Sequence, residues 1–190
     1  MTRGLFLIGV LGASLTNFEA SAYETWRYEV IRQEGVFEVR RYASAITAQT
    51  MVAGNFEDAG GEAFRLLFKY ISGRNDPNES IAMTTPVTQQ ASGDIYQVAF
   101  MMPEKHTLAG LPAPLDKRVE LQAEPGGDFA CIRYSGFWSR SNYEANLEKL
   151  QKWLVRQGLK ESGPPVWARY DPPFKPWFLR RNEIWIPVGR

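Results

Sequence analysis

Reactive side chains are few in this sequence. Cys131 is the only cysteine and His106 the only histidine. Neither falls in a metal-ligand spacing, and the chain shows no paired carboxylates and no nucleophile-base arrangement, so catalysis is not expected. Cys131 lies in the alternating run Phe129-Ala130-Cys131-Ile132-Arg133-Tyr134. A buried small side chain and a thiolate iron ligand are both conceivable there, and burial is expected because free cysteine is among the most buried residue types. His106, in a loop after a strand, is read as solvated. The chemistry left is that of binding: aromatic residues make up 13 % of the chain, including six tryptophans, enough for a rigid aromatic core or a flat apolar ligand surface.

Two stretches could present such a surface. A helix is expected over 56–72, and a 100° step places Gly60, Ala63, Phe64, Leu67, Phe68, Tyr70 and Ile71 on one broad side, with Glu62, Arg65 and Lys69 opposite or at its border. Core packing accounts for most of this arc, but the arc is wider than one packing contact needs, and Phe64 and Phe68 lie on the edge nearest Arg65. Gly60 and Gly61 each cost a helix roughly 1 kcal/mol relative to alanine, which points to close approach of another group at the first turn. The second stretch is Asp171-Pro172-Pro173-Phe174-Lys175-Pro176-Trp177, whose three prolines pre-order the backbone around Phe174, Lys175 and Trp177. A pocket wall and a cover for a sheet end fit it equally well.

The elements that position these stretches can be read from local signals. Tyr28 to Gln33 and Val36 to Tyr42 flank Glu34-Gly35 and predict a hairpin, followed by a strand from Ala45 to Val52. Asn55 offers the cap of the first helix, Glu57 and Asp58 suit its positive end, and Gly73 offers the stop. Strands are expected at 81–89 and 95–102, then a proline-punctuated loop to Pro114. Val119 to Ala123 and Phe129 to Tyr134 flank Pro125-Gly126-Gly127-Asp128 and read as another hairpin. Ser141-Asn142-Tyr143-Glu144 is a capping box for a second helix with Tyr143, Leu147, Leu150 and Leu154 on one face and Gly158 as its end. Closing strands are expected at 166–170 and 183–188. Phe37 to Tyr42 and Phe129 to Tyr134 each precede a helix, so the chain reads as two strand-strand-helix-strand halves sharing one curled sheet with both helices outside.

At 190 residues the chain fits one domain. Lysine and arginine total 22 against 21 acidic residues, so no basic field argues for nucleic acid or an anionic membrane. Residues 1–22 read as a signal peptide: Arg3, an apolar run from Gly4 to Leu15, and Ala20-Ser21-Ala22 as the cleavage site. The run is too short to span a bilayer, so an exported, periplasmic or secreted domain of 23–190 is expected, free of stable membrane insertion.

Three motifs carry a family resemblance: Ile81-Ala82-Met83-Thr84-Thr85-Pro86-Val87, the segment from Leu111 to Val119, and Tyr170 to Trp177 followed by Arg181-Asn182-Glu183-Ile184-Trp185. Together they resemble the SOUL haem-binding family over essentially all of the chain beyond residue 22. The resemblance implies an α+β fold, a distorted antiparallel β-barrel with two α-helices in a pseudo-twofold repeat. It also implies that haem or another tetrapyrrole lies in an open apolar groove between the first helix and the proline-rich loop. Lys69 and Lys175 match family positions near the ligand, so the expected binding residues are Phe64, Arg65, Phe68, Lys69, Phe174, Lys175 and Trp177. A helix arginine of the family is replaced by Gly61. Arg41 stands where some members carry a histidine and cannot ligate iron as a cation, so no axial ligand is assigned, and Met83, Met101, Met102 and the tyrosines offer at most weak ones. The expectation is a low-affinity tetrapyrrole carrier or buffer, not an enzyme, with protein partners left open. The alternative is a general amphipathic-ligand or effector-binding domain.

Overall fold

The computed structural model describes residues 23–189; the expected signal peptide, 1–22, lies outside the described residues. Nine strands form one sheet: β1 (Tyr28–Glu34), β2 (Phe37–Tyr42), β3 (Ala45–Ala53), β4 (Val87–Ser92), β5 (Ile95–Met101), β6 (Glu120–Glu124), β7 (Gly127–Tyr134), β8 (Val166–Arg169) and β9 (Asn182–Pro187). Helix α1 (Phe56–Ile71) packs on β3 and β5, and helix α2 (Arg140–Gln157) packs on β7 and β9.

The sheet order is β6-β3-β5-β4-β8-β9-β7-β2-β1, and every pairing in it is antiparallel. Leaving β1 aside, the order is its own mirror: reversing it exchanges β6 with β2, β3 with β7, β5 with β9 and β4 with β8. The two halves are therefore β2-β3-α1-β4-β5 and β6-β7-α2-β8-β9, meeting where β4 pairs with β8. This is the expected pseudo-twofold curled sheet, with two corrections. Each half has a further strand after its helix, and the partner of β7 in the repeat is β3, not β2.

The expected hairpin over 119–134 does not form. β6 pairs with β3 and β7 with β2, so the chain crosses from one side of the β4–β8 seam in the sheet to the other between Glu124 and Gly127, as it does between Tyr42 and Ala45. The two crossings lie against each other: a Cβ on Gly126 would sit 2.5 Å from the Tyr42 carbonyl oxygen. A proline-glycine-glycine run serves a crossing as well as a turn, because both need positive φ and a bare backbone. The 81–89 strand is also broken. Thr84 and Thr85 pair with Glu24 and Thr25, and Pro86, lacking an N–H, separates them from β4.

Both helices end as their local chemistry dictates. Asn55 accepts from the Asp58 amide at 2.8 Å, and Gly158 ends α2 with φ +66°. The cap of α2 is Ser139, two residues ahead of the expected box, and it accepts from the Asn142 amide at 3.3 Å. Alternation along β9 separates two interiors. Ile184 and Ile186 join Leu150, Trp153 and Leu154 beneath α2, while Trp185 faces Tyr42, Cys131 and Trp26 inside the curl. Cys131 is fully buried, as expected.

Candidate functional site

Alternation also puts Glu183 inside the curl, where it is inaccessible to solvent. Its carboxylate accepts from Arg40 at 2.6 and 3.1 Å, from Arg181 at 2.8 and 2.9 Å, from the Tyr170 hydroxyl at 2.9 Å and from the Trp185 indole at 2.8 Å. Burial alone would raise the Glu183 carboxyl, but Arg40 and Arg181 outweigh it and hold the group below its ordinary value. Tyr170 and Arg181 are the two ends of the proline-rich loop, so this buried carboxylate clamps the loop at its base. Higher up, Asp171 accepts from Lys175 Nζ at 2.7 Å and from the Arg181 amide, and Arg180 donates to the carbonyls of Lys175 and Pro173.

The clamped loop faces α1 across a groove of about 440 Å³. One wall is the helix edge Gly60, Phe64 and Phe68, spaced four apart, with Gly61 and Arg65 beside them. The other is Tyr170 to Pro173, with Met83, Thr85 and Val87 below and Trp138 and Arg169 at the end. The helix edge is apolar but uncovered: Phe64 and Phe68 are 37 % and 48 % exposed and stack at 5.8 Å, and Phe64 also rests on Phe100 at 5.2 Å. The rest of the apolar arc, from Phe56 and Ala59 to Tyr70 and Ile71, is core.

Arg169 lines the groove beside Trp138 and Tyr170. Its guanidinium lies over Trp167 at 4.8 Å and Trp138 at 5.4 Å and donates to Gln89 Oε1 at 3.2 Å, while its Nε is buried without a partner. Burial lowers its pKa to about 10. Gly60 makes room for it, since a Cβ there would stand 2.8 and 2.9 Å from the two terminal nitrogens and 2.7 Å from Gln89 Oε1.

Of the expected binding residues, Phe64, Arg65 and Phe68 come together in this groove. Lys69 lies on the other flank of α1, in a depression shared with Arg74, Asp116, Lys117 and Arg118. Lys175 sits in the groove's loop but turns to Asp171. Phe174 and Trp177 lie beyond the groove lining: Phe174 is 86 % exposed, and Trp177 stacks on Phe137 at 5.0 Å. Sequence reasoning missed Arg169 and Trp138. The cost of Gly60 in a helix was the one local signal, and it pointed at Arg169 only as an unnamed close neighbour.

A second cavity, of about 580 Å³, opens between Trp26, Met101, Met102, His106 and the two strand crossings. His106 is half-buried rather than solvated, with Nε2 enclosed and unpartnered. Glu24, Glu104 and Glu124 line this cavity against Arg27 alone, a poor setting for an anionic ring. Arg41 is on the sheet, bidentate to Asp128 at 2.7 and 3.0 Å. Among the described residues no three histidine, cysteine, aspartate or glutamate side chains group as metal ligands, and no helix is long and apolar enough to cross a membrane.

A mirror-ordered curled sheet with two outer helices is a fold shared with known structures. The C-terminal domain of EcmrR superposes with a TM-score of 0.63 at 11 % identity, covering 86 % of this chain and 98 % of that one. The sequence narrows the class further. Residues 23–187 match the family model described as SOUL heme-binding protein, and the chain belongs to that family. It is similar to heme-binding protein 1 of Xenopus tropicalis, 29 % identical over 163 residues that cover 81 % of this chain and 85 % of the relative. It is also similar to heme-binding protein 2 of Homo sapiens, 27 % identical over 164 residues covering 81 % and 78 %.

Proposed function

We propose that this protein binds haem or a related tetrapyrrole reversibly in the groove between α1 and the proline-rich loop, and serves as a low-affinity carrier or buffer. The observation that carries this reading is the stacked, half-exposed pair Phe64 and Phe68 facing Tyr170 to Pro173, in a chain of the SOUL family. The groove volume lies within the roughly 300–1,000 Å³ range of small-ligand sites. Arg65 and Arg169 supply cations for propionates, with Lys175 beside the wall. Histidine and cysteine are absent from the lining, so the ring is held by packing and charge rather than by a strong bond to iron. The leader-like pattern of residues 1–22 supports the reading that this binding takes place after export from the cytoplasm.

The test is a titration with haemin and with metal-free protoporphyrin, followed by the Soret band and tryptophan quenching. Both ligands are expected to saturate with similar affinity. Phe64→Asp/Phe68→Asp removes two apolar faces worth roughly 1 kcal/mol or more each, so binding should weaken at least about tenfold. Unchanged binding by the double variant would place the ligand elsewhere, and saturation by neither porphyrin would favour a general amphipathic-ligand domain.

A further inference from the structure

Two arginines whose guanidiniums reach into the fold, Arg40 fully buried and Arg169 partly so, are treated in opposite ways. Arg40, inside the curl, meets Glu183 and Glu38 and also donates to Tyr42. Arg169 has no carboxylate partner among the described residues. Of its five N–H donors it uses one, on the neutral amide of Gln89, and its Nε is buried and orphaned. A guanidinium taken out of water without a counter-charge is costly, and the fold does not relieve that cost by turning the side chain outward. Instead it removes the Cβ of Gly60 to seat the guanidinium, and it stacks Trp138 and Trp167 near its faces. Other acids of the groove are engaged elsewhere. Asp171 holds Lys175 and the Arg181 amide, and Glu57 accepts from the Arg140 amide at 2.9 Å.

We infer that Arg169 is the specificity-determining cation of this groove, and that its missing partner is a carboxylate carried by the ligand. The inference rests on the groove reading proposed above and deepens it. The ligand enters with one acid group directed at Arg169, whose two terminal nitrogens can take it in a two-pronged hydrogen bond, while its ring lies along Phe64 and Phe68. A site of this kind selects for the acid and not for iron. It rejects an ester of the same ring, because the ester leaves the guanidinium without a counter-charge.

The experiment compares haemin with haemin dimethyl ester on the wild-type chain and on Arg169→Met, Arg169→Lys and Phe68→Asp. Wild type is expected to prefer the free acid by about tenfold or more. Arg169→Met should lose that preference by binding the acid more weakly and the ester about as well as wild type, and Arg169→Lys should keep part of it. Phe68→Asp should weaken both ligands, the ester included. An acid preference undiminished in Arg169→Met, or a wild type that does not distinguish the two, overturns the assignment of Arg169 while leaving the groove reading intact. If Phe68→Asp binds both ligands like wild type, the groove itself is wrong and this inference falls with it. Unliganded Arg169→Met should melt at or above the wild-type temperature, and a clearly lower value would make Arg169 a structural residue and overturn the proposal.

Discussion

Replacing Glu183 by glutamine keeps the shape of the side chain and removes the charge that Arg40 and Arg181 share. Both guanidiniums stay enclosed, and at least one loses its counter-ion. Removing one member of a buried ion pair typically costs about 3–5 kcal/mol, because the other charge is left uncompensated. For a domain of this size each kcal/mol moves the melting temperature by about 2–4 °C, so a drop of roughly 6–20 °C is expected by calorimetry or circular dichroism. The sign with pH follows from the depressed carboxyl. Glu183 titrates below its ordinary value of 4.5 in the folded chain, so its contribution is full above that value and fades as pH falls through the folded value. The gap between wild type and variant should therefore be constant near neutrality and narrow as pH falls below 4.5. Glu148→Gln, which breaks only the solvent-exposed pair with Lys152, should leave the melting temperature essentially unmoved. Because Glu183 also fixes Tyr170 and Arg181, its loss should loosen the groove wall and weaken porphyrin binding. A Glu183→Gln protein melting within about 2 °C of wild type, or a gap that persists unchanged into acid, would refute the clamp.

Two further substitutions or labels probe the same construction. Gly60→Ala would stabilise an open helix by about 1 kcal/mol, but here its Cβ meets Arg169 and Gln89 at under 3 Å. Its melting temperature should therefore fail to rise, and porphyrin acid binding should fall as the guanidinium is displaced; a stabilised variant with normal binding would show that the close approach is of no consequence. Cys131 is fully buried and its thiol is pushed well up by that burial, so a disulfide reagent should label it only on unfolding. Rapid labelling of the native protein would contradict the closed interior around Trp185.

Local chemistry carried much of this protein. The hairpin around Gly35, the span of α1 from Asn55, the end of α2 at Gly158 and the burial of Cys131 all follow from signals within a few residues, because caps, turns and alternation act over that range. The uncovered edge Phe64 and Phe68 was legible in the same way, as an apolar arc too wide for one contact. Pairing was not. Phe129 to Tyr134 reads identically as the second arm of a hairpin or as a strand between β2 and β9, and only the crossing of the two halves chooses. The site divides along the same line. A helix step shows which face Lys69 leaves, but not that its flank belongs to a different depression, and loop composition cannot show that Lys175 turns to Asp171. Arg169 follows Trp167 by two on β8 and so shares its face, but nothing local shows what lies around its guanidinium. Its enclosure arises only when the far half of the repeat brings β8 against β4 and beneath α1. Periodicity determines which face of an element is buried; which group waits on the other side is decided by a partner far away in the chain, and no local spacing encodes it.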